Sequence, residues 1–284
     1  MSSRFFRPLI LLTTQATCIW YCTGEGPVTP PMPTPDKSER LIIFCDQEII
    51  STPELLQKIE DDILQALFTD IDRPLKIDLY ALDHRTEQAM DLLGTCKIDA
   101  ADVNLMKEGS WKMKNRIRSR CAEAFGKIQK PSEQGCNKII SSLHVMSQVL
   151  RGIDADTDVR VIYYSKWMEM DATADFDQHQ YRLRGNNPIG GIYPFEYSVL
   201  EELMRQLHDP NSPLRKNAAR LKSTIDAQGL SLSKVYSIDG FESKFSDDRN
   251  ADAQIQLDIF WDSLFVHAGL NRVRVSSFQD SKKE

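Results

Sequence analysis

A continuous apolar run followed at once by a capped amphipathic helix limits the possible folds of this chain more than any other feature. Leu41–Cys45 is apolar throughout, which is typical of a short strand buried on both faces of a sheet. The run ends at Asp46, and Ser51-Thr-Pro-Glu54 then has the pattern of a capping box that starts a helix. Lys76–Leu82 alternates as a second strand. A strand, a helix and a strand in this order predict a parallel crossover connection.

The alternation of strand and helix patterns continues along the chain. Further strands are predicted at Asp158–Ser165, Ser233–Ile238 and Arg272–Phe278, and residues 84–110 are predicted to be a loop with a short helix. Helices are predicted over residues 111–130, 137–150, 196–208, 213–228 and 254–268. We therefore predict a single α/β domain over residues 40–278. In this three-layer sandwich, helices flank a mostly parallel central sheet.

The segments before and after this domain differ from it in composition and in predicted role. Residues 1–22 begin with a basic stretch and continue with a short apolar run, the order expected of an export signal, and Cys18 follows a weak lipoprotein-type cleavage pattern. Residues 23–39 contain five prolines and are predicted to be a linker. Residues 279–284 are a polar tail. The chain is therefore predicted to be extracytoplasmic, either periplasmic or membrane-anchored; the alternative is a cytoplasmic protein with an unstructured N-terminal tail.

Charge and cysteine content limit the partners and the chemistry. A net charge of -6 gives no general attraction to phosphate backbones, so nucleic acid is not an expected partner. Membrane contact is expected only through an N-terminal anchor. Cys45 is predicted to be a small core residue. In an oxidising compartment one disulfide can form among three other cysteines, but the sequence leaves the pairing open: Cys96, Cys121 and Cys136.

Three segments resemble a von Willebrand factor type A-like domain. Leu41–Glu54 is similar to that family's first strand and helix, Val159–Met170 to its central strand, and Phe260–Phe278 to the last helix and strand of bacterial extracytoplasmic members. The resemblance extends over residues 40–278 and implies a Rossmann-like arrangement of the sheet. It also implies a binding site at the carboxyl ends of the strands, where the family holds Mg²⁺ with the motif Asp-x-Ser-x-Ser.

The motif is altered in this chain, which reads Asp46-x-Glu48-x-Ile50. Asp46 and Glu48 can offer oxygen ligands of the kind that Mg²⁺ prefers, whereas the Ile50 side chain has no ligand atom. Lys166 stands where the family's second acidic position is expected, and its ammonium group can form a salt bridge with Asp46 instead. The resemblance therefore implies a degenerate metal site at Asp46 and Glu48. No cofactor is expected, unless Mg²⁺ is retained.

The functional prediction follows from these residues. We predict a non-catalytic protein-interaction domain whose partner, a protein or a cell-envelope component, binds at Asp46, Glu48, Lys166, Trp167 and Glu169. Trp167 is predicted to be either an exposed aromatic residue at the rim of this site or a core residue.

An alternative prediction is a Mg²⁺-dependent, phosphatase-like hydrolase that uses Asp46 at the first strand end. Asp83-His84 can be read as an acid/base pair or, more simply, as the polar start of a loop. The basic residues Lys112, Lys114, Arg116, Arg118 and Arg120 can be read as a binding stripe or, more simply, as a solvated helix surface.

Overall fold

The central element of the domain is a six-stranded sheet with the strand order β3-β2-β1-β4-β5-β6. The computed structural model describes residues 37–46, 49–50, 52–69, 72–82, 92–107, 111–126, 139–165, 167, 197–239 and 251–282. The strands are Glu39–Asp46 (β1), Leu75–Leu82 (β2), Leu92–Ile98 (β3), Asp158–Tyr164 (β4), Lys234–Ile238 (β5) and Asn271–Val275 (β6). The export segment, nearly all of the linker and Ser51 lie outside the described residues.

Parallel pairing dominates the sheet, as the sequence predicts. β1 pairs in parallel with both β2 and β4, and β4, β5 and β6 continue in parallel. β3 is antiparallel to β2 and forms one edge of the sheet. The prediction of a loop missed β3, because an edge strand has only a weak apolar pattern. Of its residues, only Cys96 and Ile98 are buried. The short helix predicted next to it is confirmed.

Helices cover both faces of the sheet, which confirms the three-layer α/β architecture. Within the described residues they are Pro53–Thr69 (α1), Ala100–Lys107 (α2), Trp111–Gly126 (α3), Ile139–Leu150 (α4), Tyr197–His208 (α5), Pro213–Gln228 (α6) and Ala251–His267 (α7). One apolar core lies between the sheet and α4, α5, α6 and α7. A second core lies on the opposite face, against α1, α2 and α3. In β1, alternate residues divide between the two, with Phe44 in the first core and Cys45 in the second.

The connection between α7 and β6 shows how the sequence ends a helix. Gly269 has a left-handed φ of 78°, the conformation that glycine adopts at helix C-termini without steric cost. The Leu270 amide donates to the Phe265 carbonyl at 2.9 Å, and the Gly269 amide donates to the Val266 carbonyl at 3.0 Å. The helix predicted over residues 254–268 is confirmed and ends at His267.

The last strand is shorter than predicted and forms the other edge of the sheet. β6 ends at Val275, because the hydroxyls of Ser276 and Ser277 donate to the Asp280 carboxylate at 2.6 and 2.8 Å and turn the chain away from the sheet. A short 3-10 turn, Asp280–Lys282, follows. On β6, both Arg272 and Arg274 contact the Asp258 carboxylate of α7.

One disulfide joins β3 to α3. Cys96 and Cys121 are bonded, with a Cα–Cα distance of 5.2 Å, so the structure selects this pair from the three candidate cysteines. Cys45 is a free, buried cysteine of the core, as predicted. No helix in the part of the chain that the structure describes is both long enough and apolar enough to cross a membrane.

Candidate functional site

The strand order changes direction at the carboxyl ends of β1 and β4. The chain passes from β1 to β2 and β3 on one side and then returns to β4 on the other side of β1. This reversal is the topological switch point of a doubly wound sheet, where ligands of such folds bind. Asp46 ends β1 and Ser165 follows β4, and both side chains are fully buried. The carboxyl edge of the sheet is therefore the candidate site.

Asp46 lies where the sequence predicts it, at the carboxyl end of a central strand. It is opposite Leu82 of β2 and has no solvent-exposed surface. Its charge acts on the adjacent thiol: the pKa of Cys45 is raised well above its ordinary value, mainly by burial and also by Asp46. A carboxylate so enclosed is suited to organising the strand end and is poorly placed to meet a substrate from solution.

Trp167 is a core residue, which confirms the second of its two predicted alternatives; the alternative of an exposed aromatic residue at a binding rim is wrong. Only 1% of its surface is exposed. Its backbone has a left-handed φ of 58°, which turns the side chain back toward the sheet. The Trp167 amide donates to Ser165 Oγ at 2.9 Å, and its indole Nε1 donates to Ser237 Oγ at 2.6 Å. Its carbonyl accepts from Trp261 Nε1 at 2.9 Å, so β5 holds the ring and α7 holds the backbone of this residue.

Aromatic packing completes the enclosure of Trp167. The centroids of the Tyr163 and Trp261 rings lie 5.2 and 5.5 Å from that of Trp167, and the Phe265 ring meets it edge-on at 6.0 Å. The Arg272 guanidinium lies 4.8 Å from the ring centroid, within the range of a cation–π contact. On the side of α7, this part of the carboxyl edge is therefore closed by a packed core.

An open cleft of about 550 Å³ lies at the same edge on the side of α1. It is bounded by α1, by the ends of β4 and β5, and by the turn after β6. Among the described residues, four carboxylates and one ammonium group line it, and this part of the lining is negatively charged. The lining residues are Glu54, Gln57, Lys58, Asp61, Asp62, Gln65, Tyr164, Ile238, Asp239, Ser276 and Ser277.

Asp62 ties the walls of this cleft together. Its Oδ2 accepts from the Tyr164 hydroxyl at 3.3 Å and from the Phe278 amide at 3.1 Å, so it links α1 to β4 and to the turn after β6. Burial, followed by the charge of Asp62, raises the pKa of Tyr164 well above its ordinary value. The Tyr164 hydroxyl therefore stays protonated and keeps donating. The cleft consequently has a fixed shape with exposed carboxylates at its rim.

The structure describes only one of the other residues that the sequence analysis considers for the site. Glu48, Lys166, Glu169 and the pair Asp83-His84 lie outside the described residues. Ile50, which the sequence marks as unable to ligate, is a buried core residue. The predicted ion pair between Lys166 and Asp46 stays a prediction.

The described residues near Asp46 do not fit a Mg²⁺ site. The Ser165 hydroxyl oxygen accepts the Trp167 amide, and Ile50 contributes only carbon. No group of three or more acidic, histidine or cysteine side chains suited to a metal occurs among the residues that the structure describes. Mg²⁺ needs several oxygen ligands in near-octahedral geometry, so we derive no chemistry through a metal here.

Sequence reasoning missed the residues that form the cleft. Asp239 directly follows β5, and Ser276 directly follows β6. Parallel strands bring their carboxyl ends to one edge, so the first polar residue after every predicted strand is a candidate for the same site. That signal was available in the sequence. The position of Asp62, within α1 and facing the strand ends, depended on the packing of the helix.

Comparisons with known proteins add little to what the structure shows about the fold and the candidate site. No protein-family model matches the chain, and no curated protein matches it. Among solved structures it is similar to the PilB minor pilin from Streptococcus sanguinis, with a TM-score of 0.38 and 13% sequence identity. The alignment covers 89% of this chain and spans 60% of that chain. A likeness this distant carries no argument about fold or function.

Proposed function

We propose that this chain is a non-catalytic interaction domain of von Willebrand factor A-like type. Its partner, a protein or cell-envelope component, docks at the carboxyl edge of the sheet. The observation that carries the proposal is the contrast between the two sides of this edge. The side of α7 is filled by Trp167 and its neighbours, whereas the side of α1 has an open cleft.

The topology of the sheet supports the proposal that the domain is of von Willebrand factor A-like type. The order β3-β2-β1-β4-β5-β6, with a single antiparallel edge strand, is a doubly wound arrangement. Such sheets present their ligand sites outside the carboxyl ends of the strands. The sequence resemblance, with Asp46 at the first strand end, implies the same edge.

The charge of the cleft indicates the chemistry of the partner. Glu54, Asp61 and Asp239 are exposed at the cleft, while Asp62 is engaged with Tyr164 and Phe278. Exposed carboxylates steer and orient cationic groups. The partner segment is therefore basic, with lysine or arginine side chains that enter between α1 and the turn after β6.

The disulfide supports the export part of the proposal. Structural disulfides persist mainly in oxidising compartments such as the periplasm and the cell surface. The Cys96–Cys121 bond is buried, with exposed fractions of 2% and 0% for its two residues. An extracytoplasmic location, either periplasmic or membrane-anchored, is the one in which this bond forms without difficulty.

A charge-reversal experiment tests the docking surface. The probe is an arginine-rich peptide of about ten residues, long enough to place several charges in the cleft, with a serine-rich peptide of equal length as its control. Glu54→Lys with Asp239→Lys is expected to weaken binding of the basic peptide about tenfold or more. The matched control, Glu201→Lys with Asp226→Lys, reverses two exposed carboxylates outside the cleft. Equal losses in both double variants would show that only overall charge matters.

The runner-up is a Mg²⁺-dependent hydrolase, which the position of Asp46 at the end of β1 favours. It predicts a rise in melting temperature with Mg²⁺ or Mn²⁺, because a ligand that binds only the folded state stabilises it by mass action. It also predicts hydrolysis of a generic phosphate ester that Asp46→Asn abolishes. The interaction proposal expects neither result, and observing both would overturn it.

A further inference from the structure

A second groove lies between α1 and α3, next to the proposed docking cleft, with which it shares the lining residues Asp61 and Gln65. Its volume is about 650 Å³, within the size range of small-ligand sites. Two helix faces line it: residues at i, i+3 and i+4 of α1, and at i, i+3, i+4 and i+7 of α3. These residues are Asp61, Leu64, Gln65, Trp111, Lys114, Asn115 and Arg118.

Trp111 differs from the other residues of this groove because it is a large aromatic residue that is mostly exposed. It is the first residue of α3, and 73% of its surface is exposed. By contrast, Trp167 and Trp261 are 1% and 0% exposed. Tryptophan is enriched at interfaces, because its large apolar ring system packs on a ligand while its N–H can form a hydrogen bond. The indole therefore offers a flat apolar platform at one end of the groove.

Amide groups, cationic side chains and a carboxylate surround this platform. Gln65 and Asn115 supply planar amides that both donate and accept hydrogen bonds. Arg118 lies 4.0 Å from the Asp61 carboxylate, and both side chains are more than half exposed. Lys114 is a second cation in the lining, so the described lining residues have a surplus positive charge although the whole chain is acidic.

The scaffold under the groove is rigid. The inner face of α3 is fixed by buried Ile117 and by the Cys96–Cys121 disulfide. Arg120 donates to the Lys97 carbonyl at 2.7 Å and to the Asp102 carboxylate at 2.6 Å, which anchors the helix to β3 and α2. A preformed site lowers the entropic cost of binding.

We propose that the groove binds an anionic saccharide, a sugar unit that bears a carboxylate. A pyranose ring has a face of C–H groups that packs on an indole, and hydroxyls at its rim that pair with amides and carboxylates. Trp111 supplies the platform, Gln65, Asn115 and Asp61 meet the hydroxyls, and the sugar carboxylate pairs with Lys114 and Arg118. The excess of cations over the single carboxylate favours a charged sugar over a neutral one.

A peptide fits the groove less well. Among the described lining residues, Leu64 is the one aliphatic side chain, and at 3% exposure it is already covered. Peptide-binding grooves depend on several such apolar contacts. An acidic peptide is therefore the competing ligand in the test.

The test uses the full chain and a matched pair of disaccharides. Cellobiouronic acid and cellobiose differ in one carboxylate, and each is titrated to about 10 mM, the range in which weak binding becomes visible. The readout is the Trp111 indole N–H signal in a proton–nitrogen NMR spectrum. We expect the acidic disaccharide to shift this signal with at least about tenfold higher affinity than the neutral one.

Variants distinguish the parts of the proposal. Because the Trp111 variants have no indole signal at this position, binding by all variants is measured by isothermal titration calorimetry. Trp111→Ala is expected to abolish binding, whereas Trp111→Phe keeps an aromatic platform and retains part of it. Arg118→Gln is expected to remove most of the preference for the acidic sugar. Ile255→Ala, which truncates an exposed apolar residue on α7, is the control and leaves binding unchanged. The melting temperature of each variant shows that it is folded.

Three results would overturn the proposal. The first is that neither disaccharide changes the Trp111 signal, and the second is that both bind equally well. The third is that a hexaglutamate peptide binds through Trp111 and Arg118 more tightly than the acidic sugar, which would assign the groove to a protein ligand. None of these results bears on the cleft at the carboxyl edge, because the two sites are probed by different variants.

Discussion

Removing the disulfide is the sharpest test of how the domain is held together. Cys96 and Cys121 close a loop with a sequence separation of 25. In the loop-entropy treatment, a cross-link of this span lowers the entropy of the unfolded chain enough to stabilise the fold by about 3.5 kcal/mol. For a domain of this size, that free energy corresponds to a fall in melting temperature of roughly 7–14 °C.

The perturbation is the double variant Cys96→Ala with Cys121→Ala. Alanine suits both sites, because the two side chains are buried and alanine introduces no polar group. The free energy of unfolding is measured by guanidinium titration, and the melting temperature is followed by circular dichroism. A reductant such as dithiothreitol should lower the stability of the unmodified protein by a similar amount. It should leave the double variant unchanged.

Two outcomes would refute this reasoning. If reductant destabilises the double variant as strongly as the unmodified protein, the stabilising bond joins other cysteines. If the free energy of unfolding changes by less than about 1 kcal/mol, the anchoring of α3 depends on packing and on Arg120 instead.

Three further predictions concern the core and the cleft. Ser237→Ala leaves the buried Trp167 indole N–H without its acceptor and should cost about 1–3 kcal/mol in urea unfolding; a neutral result would contradict the hydrogen bond. Asp62→Ala leaves the Tyr164 hydroxyl without its acceptor and should cost about 2 kcal/mol, whereas Asp62→Asn, which keeps an acceptor oxygen, should cost less. Burial, followed by the charges of Arg215 and His208, lowers the folded-state pKa of His267 below its ordinary 6.5. The unfolded state therefore takes up a proton first, and stability is lost as the pH falls from 6.5 through the lower folded-state pKa. His267→Gln should flatten the dependence of melting temperature on pH over this range, and an unchanged slope would show that other groups are responsible.

The central unit of the fold could be predicted because its residues repeat a pattern. β1, α1 and β2 have the periodicity of a buried strand, an amphipathic helix and a second strand, and these determine a parallel sheet. β3 could not be predicted in this way. It has one neighbour in the sheet, so burial imposes a pattern on only two of its residues.

The site was harder to predict than the sheet. The position of Asp46 followed from the strand that precedes it. The burial of Trp167 depended on a left-handed backbone angle and on partners from β5, α7 and β6, all of them distant in sequence. A tryptophan after a strand has the same local pattern whether it lies in a rim or in a core. Likewise, Cys96 and Cys121 could be paired only after β3 and α3 were placed.

The two edges of the sheet bear on how this domain can join an assembly. β6 is a five-residue strand whose arginines are held by α7, and β3 is an irregular edge with exposed polar positions such as Thr95 and Lys97. Short, charged and irregular edges discourage a second chain from extending the sheet by backbone pairing. A partner must therefore recognise side chains on the surface. Its affinity can then be adjusted one residue at a time, with the sheet left intact.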